Sequence, residues 1–288
     1  MEARETFWRR GSAIAQAEAM PEADGLSRSS RAALVAVGLL FFAVVFGPAL
    51  APHSPTVPAG PDLASPSFHF LMGTDEVGRD IFSRCLYGLR STWWSAVVVI
   101  LSGVLIGSLV GVVAGMSNSA VDGFLMRVTD VFLALPAPIL AIAVVSALGP
   151  SLRHTLIALA IVWWPLYARI VRGEVRALVS RPFYESAKLS GLSGARRALR
   201  HLLPGTLPPL IIAASLDVGL LVLTLAGLSF LGLGAPQPAP ELGSMVAQGL
   251  PYLLNDWWVP VMPAIVVFIL AFVSNFAGDA LRDLVRER

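Results

Sequence analysis

The chain has 288 residues, of which 56% are hydrophobic and 14% charged. A water-soluble domain usually carries about 25% charged residues, and a disordered chain combines low hydrophobicity with high net charge, so both classes are excluded. A net charge of +2 is too small for a nucleic-acid surface, and a lone cysteine, Cys85, rules out an internal disulfide framework.

A polytopic helical membrane protein remains, an all-α fold. Residues 32–52, 91–121, 131–152, 154–168, 202–216, 218–240 and 257–278 carry no charge. Each is close to the length that a bilayer core requires, roughly 20 residues, and a charge at a helix centre costs about 2.5–3.5 kcal/mol on insertion scales. Six transmembrane helices are predicted, over 31–51, 92–115, 124–148, 154–173, 206–234 and 258–280. The first follows a polar tail, residues 1–30, and reads as a retained signal anchor.

After it, Pro52, Pro55, Pro58, Pro61 and Pro66 predict an extended loop. From Met72 to Arg90, Ile81, Phe82, Cys85, Leu86 and Leu89 recur at helical spacing. They predict a short amphipathic helix at the interface, leading into the second span. The cluster Asp75, Glu76, Arg79 and Asp80 contains no His. It reads as a turn held by ion pairs and caps rather than a metal site.

The longest polar connection is 174–203. Pro182 suits a helix start, Phe183–Leu189 a short helix, and Gly191 its left-handed stop. Ser193 can cap a second helix, and Pro204 opens the next span. On composition alone this helix either lies on anionic lipid or docks in a groove on a partner.

Asp217 falls near the middle of the fifth span. An intramembrane carboxylate faces a cavity or partner, or is a structural Asp satisfied by Ser, Thr or Asn of a neighbouring span. Residues 235–257 carry Pro236, Pro238, Pro240 and Pro251 and read as a structured or extended connection.

Arginine placement orients the chain. Arg4, Arg9, Arg10, Arg28 and Arg31 lie before the first span, and Arg176, Arg181, Arg196, Arg197 and Arg200 lie in the 174–203 loop. Arg282, Arg286 and Arg288 follow the last span. The positive-inside rule places these three regions in the cytoplasm and Cys85 outside. The pairs Trp93/Trp94 and Trp257/Trp258 then fall near the outer interface, as headgroup-level anchors or as packing.

Enzyme chemistry finds no support. The stretch Gly227-Leu228-Ser229-Phe230-Leu231 is not a nucleophile elbow. There is no phosphate-binding glycine loop, and Lys188 is the only lysine. A proton-coupled secondary transporter using Asp217 would need repeats and broken helices, and no internal repeat is evident.

Several motifs in order carry a resemblance. Glu185-Ser186-Ala187, Gly191, His201 and Leu203-Pro204 resemble the cytoplasmic coupling loop of permease subunits of bacterial ABC importers. Gly73-Thr74-Asp75, Gly78-Arg79-Asp80, Ser83-Arg84, Met126 to Phe132 with Pro136, Leu228 to Gly234 and Gly278 to Asp283 resemble the second permease of dipeptide, oligopeptide and nickel importers. The similarity runs from about Arg28 to Val285. It implies a type I importer permease fold, with a first span and outer segment over 31–90 and a core over 91–288.

The resemblance also implies that Tyr184, Glu185, Ser186, Ala187, Leu189 and Gly191 meet an ABC ATPase; Asp217, as an intramembrane carboxylate, and Thr224 are the candidates for lining the pathway. ATP and Mg would be held by the ATPase and no cofactor by this chain. A second homologous permease and an extracytoplasmic substrate-binding protein complete the expected partners, in a bacterial inner membrane with both termini cytoplasmic. Peptide cargo is expected, with nickel or another small solute as the alternative. The chain departs from the pattern at Ser186, where the family has Ala. It also has Leu223-Thr224-Leu225 where many relatives carry an acidic residue.

Overall fold

A computed structural model describes residues 28–286. Residues 1–32 and 33–288 form two units; of the first, only the opening turn of helix α1 is described. The tail arginines Arg4, Arg9 and Arg10 lie outside the described residues.

The fold is helical throughout its described spans. In chain order the helices are α1 (Arg28–Leu50), α2 (Ile81–Met116), α3 (Ser119–Leu133), α4 (Ala137–Leu148) and α5 (Leu152–Val179). There follow α6 (Pro182–Leu189), α7 (Gly194–Arg197), α8 (Leu203–Leu228), α9 (Leu242–Gly249) and α10 (Trp258–Arg286). Four helical runs are long and apolar enough to cross a membrane: Ile81–Met116, Leu152–Val179, Gly194–Leu233 and Trp258–Asp279. The apolar part of α1, Val35–Leu50, is shorter.

Three predicted boundaries are corrected. The span over 124–148 is two helices, α3 and α4, bent by 87°. Pro136 caps α4 in an extended conformation and Pro138 follows in its first turn, so α3 cannot continue through them. The predicted interface helix near Ile81 is the first three turns of a single 36-residue helix, α2. The fifth span does not begin at Pro204. Helical backbone continues from Gly194 past Pro204 through a π-helical turn at Ala198–Leu202, and reaches a second π-turn at Ser229–Leu233 that Gly232, with φ 82°, kinks. A π-turn re-routes backbone hydrogen bonds locally, which lets the run pass Pro204 without ending.

The centre of the bundle is the contact of α2 with α5. Gly103, Gly107, Gly111 and Gly115 recur every fourth residue along α2 and are buried. A Cβ on Gly107 would lie 2.6 Å from the Trp164 carbonyl oxygen and 2.6 Å from Tyr167 Cβ. On Gly111 it would lie 2.7 Å from the Ala168 carbonyl oxygen, and on Gly115 2.5 Å from Val175 Cγ1. Lipid offers no hydrophobic drive for helix association, so backbone approach through small residues supplies the contact instead. Tyr167, Val171 and Val175 are fully buried against this stripe.

The end of the bundle where α2 begins is closed by residues 52–80. Gly73 and Gly78 both have positive φ, 75° and 72°. Asp75 accepts from the Arg79 backbone at 2.9 Å and from Arg79 Nε at 2.6 Å. Asp80 caps α2, its Oδ2 accepting from Ser83 N at 3.0 Å and from Ser83 Oγ at 2.6 Å. Arg84 is fully buried and donates from Nη1 to the Pro55 carbonyl at 2.7 Å and the Pro238 carbonyl at 3.3 Å. The cluster is therefore the predicted turn of ion pairs and caps. Cys85 is only 2% exposed, so it cannot report on which side of the membrane it lies.

At the opposite end, α3 is clamped to α5. Asp122 is buried and accepts from Arg172 Nε at 2.5 Å, Arg172 Nη2 at 2.7 Å and Arg176 Nη2 at 2.5 Å. A second pair, Arg169 to Asp130 at 2.6 Å, is exposed.

Three outcomes follow from these contacts. Gly107→Leu places a side chain into backbone and should cost at least the ~1–3 kcal/mol typical of overpacking, read as a lower melting temperature of the purified protein. Gly173→Ala, on an α5 face with nothing within 4 Å, should be neutral or stabilise by about 0.5–1 kcal/mol. Asp122→Ala leaves the Arg172 fork without its acceptor and should lower stability by about 1.5–3 kcal/mol in the same assay.

Candidate functional site

The coupling candidate is built by local rules. Arg181 is extended (φ −85°, ψ 146°), as a residue before proline should be, and Pro182 opens α6. The helix ends at Leu189, and Gly191 follows with φ 74°. Ser193 Oγ then accepts from Arg196 N at 3.4 Å and starts α7. The predicted pair of short helices around a glycine turn is present.

The six residues assigned to coupling do not share one face. Glu185, Ser186, Leu189 and Gly191 are exposed, Leu189 at 84%. Tyr184 and Ala187 are 7% and 8% exposed, turned toward this chain's own surface. The Arg197 guanidinium sits 5.3 Å from the Tyr184 ring centroid, which ties α6 to α7. Tyr184 and Ala187 therefore hold the loop in shape rather than present themselves outward. The i, i+3 spacing of Tyr184 and Ala187 signals this second face in the sequence. Phe183 belongs to the outward face and sequence reasoning did not single it out; it is 43% exposed. The result is a short helix with a large apolar tip, an acidic side chain and an abrupt stop.

The second candidate lies at mid-span. Asp217 sits near the centre of α8 and is half-buried. Its Oδ2 accepts from the Tyr167 hydroxyl at 2.8 Å. The partner is an α5 tyrosine, not the Ser, Thr or Asn that the sequence suggested. Tyr167 is delivered there by α2, since Gly103 and Gly107 leave room for its ring and Cβ. The four-residue glycine spacing of α2 was the available signal, and it points to α5 once two helices are known to touch. Thr224 lies two turns from Asp217 on α8, and its hydroxyl donates to the Leu220 carbonyl at 2.9 Å. The structure makes no contact between Thr224 and Asp217; they share a helix face with Leu220, which is exposed.

A third site was legible only as a proline-rich connection. Glu241, buried, caps α9 by accepting from Ser244 N at 2.8 Å and Gly243 N at 3.2 Å. Burial pushes its carboxyl above the usual range. Its partners are its own helix's backbone, so it anchors α9. Among the described residues no group of three or more His, Cys, Asp or Glu could hold a metal ion.

Comparison with known proteins places this geometry. Residues 107–288 match the family described as binding-protein-dependent transport system inner membrane component. The probable D,D-dipeptide transport system permease protein DdpC of Escherichia coli K12 is 39% identical over 252 residues, 87% of this chain and 85% of that protein. The di/tripeptide transport system permease protein DppC of Pseudomonas aeruginosa is 36% identical, over 85% of this chain and 83% of that one. The glutathione transport system permease protein GsiD of Pectobacterium atrosepticum is 37% identical, over 76% and 72%. A chain of the MetNI methionine ABC transporter, solved in inward facing conformations, superposes with a TM-score of 0.55 and 24% identity, covering 71% of this chain and 95% of that chain. That likeness establishes the helical architecture. With the family match spanning more than half of its length, this chain belongs to the binding-protein-dependent transport system inner membrane components, the permease subunits of ABC importers.

Proposed function

We propose that this chain is the transmembrane permease of an ATP-driven importer of dipeptides or oligopeptides, forming half of the pathway. The observation that carries the reading is α6, an exposed helix ending in an abrupt Gly191 turn, borne on the end of α5. A charged, apolar-tipped element of this kind suits a groove on another protein better than a lipid surface. Its two buried residues fasten it to the chain, so a push on α6 is delivered to α5 and, through Asp122, to α3. The peptide cargo is taken from the names of the relatives.

Four partners complete the function. An ABC ATPase receives α6 and holds ATP and Mg, and a second homologous permease supplies the other half of the pathway. An extracytoplasmic binding protein delivers cargo, and the bacterial inner membrane surrounds the bundle. Both termini and the 174–203 loop lie in the cytoplasm, and residues 52–80 cap the outer end. Asp217 and Thr224 face the pathway. ATP hydrolysis belongs to the ATPase, and this chain has no catalytic residue of its own.

The coupling role is tested in the co-purified complex. Gly191→Val forces a β-branched residue into left-handed backbone, which costs about 1–2 kcal/mol and reshapes the turn. Glu185→Lys inverts the charge offered to the groove. Each should leave the protein in the membrane and drop peptide-stimulated ATP hydrolysis to near the unstimulated rate. Stimulation at the wild-type level in both variants, with the ATPase retained, would remove α6 as the coupling element. Stimulation by nickel and not by peptides would replace the cargo.

Orientation is tested with a single thiol. In a Cys85→Ala background, Ser193→Cys should stay unlabelled by a membrane-impermeant maleimide in intact spheroplasts and react once the membrane is opened. Labelling in intact spheroplasts would invert the topology.

A further inference from the structure

The first helix does not close fully onto the bundle. It meets α2 where Gly47 lies over Leu86, a Cβ there being 3.3 Å from Leu86 Cδ2, and where the Phe41 ring meets Trp93 edge-on at 6.2 Å. Beside these contacts a groove of about 380 Å³ is left between α1, α2 and α10. Its walls are one face of each helix, from Ala36 to Ala43, from Phe82 to Leu89 and from Val266 to Val273. Met72, from the outer segment, also lines it. Each wall repeats at i, i+3 or i+4, and i+7, so the groove follows the helices for about two turns. The α2 wall is the apolar stripe that the sequence assigned to an interface helix. The lining carries no charged side chain and no hydrogen-bonding group stronger than the Cys85 thiol. Leu39 and Ile269, on its α1 and α10 walls, are exposed.

Size and chemistry select the occupant. Water finds no polar partners in such a lining, and an empty groove forfeits dispersion contacts along all three walls. A peptide would leave its charged ends and amides unpaired there. A helix is about 10 Å across with a 5.4 Å pitch, so a single turn takes about 420 Å³, more than the whole groove, and a span of a second permease does not fit. Hydrocarbon does: a cavity of about 150 Å³ takes one benzene, so this one takes roughly fifteen carbons, the length of one acyl chain. We propose that the groove between α1, α2 and α10 is a lipid site that holds one acyl chain of a membrane phospholipid, and that this chain completes the packing of α1 against the bundle. The inference is independent of the cargo and needs only the membrane that surrounds the permease.

The test uses the full complex, with its ATPase and second permease, in nanodiscs that contain phosphatidylcholine bearing a diazirine on one acyl chain. After illumination, adducts at Phe82 and Leu86 should come within about fivefold of those at Leu105, which is 64% exposed on the same helix, because a seated chain touches the groove wall as bulk lipid touches Leu105. Ala43→Phe puts a ring into the groove and should cut the adducts at Phe82 and Leu86 about fivefold or more while Leu105 stays labelled. Gly38→Phe, on α1 where nothing lies within 4 Å, should leave all three unchanged. Adducts at Phe82 and Leu86 below the fivefold limit in the wild-type complex mean that the groove is empty or that protein covers it, and overturn the proposal. So does labelling there that Ala43→Phe leaves intact. The melting temperature of the complex checks the variant itself. A ring that replaces lipid should leave it unchanged, whereas a fall of more than about 4 °C means that the ring met protein, and overturns the lipid site as well.

Discussion

The close approach of α2 and α5 through four glycines sets the position of everything else in this bundle. Gly107 and Gly111 lie against backbone carbonyls of α5, where a methyl group would already overlap. Packing in lipid depends on contact rather than on expulsion of water, so an approach this close is the main attractive term between the two helices. It also fixes rotation. With the glycine stripe facing α5, Tyr167 points into the interior, and its hydroxyl meets Asp217 of α8. Three helices are thus registered by one small-residue stripe and one hydrogen bond.

The two ends of the bundle handle charge in different ways. At the capped end, Asp75, Arg79, Asp80 and Arg84 are nearly inaccessible, yet each finds partners within residues 52–84 or on the Pro238 carbonyl. Buried charges held by several hydrogen bonds specify one arrangement, even where their net stabilisation is modest and, as at Asp80 Oδ1, one oxygen has no partner. Here they hold a proline-rich segment in place without regular secondary structure. At the other end the charges are shared between spans. Asp122 joins α3 to Arg172 and Arg176 on α5, close to where α6 begins. A displacement of α6 therefore meets a stiff connection to two spans instead of a flexible linker.

The fold class, most of the apolar segments and the two short helices around Gly191 were legible in the sequence because their signals are local. Uncharged stretches of bilayer length need no partner to be recognised. Pro182, Gly191 and Ser193 each act on their own turn of backbone, so α6, the positive φ at Gly191 and the Ser193 cap all stand where the residues put them. The cap cluster Asp75 to Asp80 was readable for the same reason, since its bonds span only a few residues.

What the tertiary structure alone decided is everything that joins distant segments. The break between α3 and α4 follows from Pro136 and Pro138, but its 87° angle is set by what each helix packs against. Tyr184 and Ala187 have the composition of a docking surface, and only the placement of α7 turns them inward under Arg197. Tyr167 lies fifty residues from Asp217, and no spacing rule connects an α5 phenol to an α8 carboxylate. Periodicity reports which residues share a helix face. It does not report which helix that face will meet, because that choice depends on the close packing of all the spans at once.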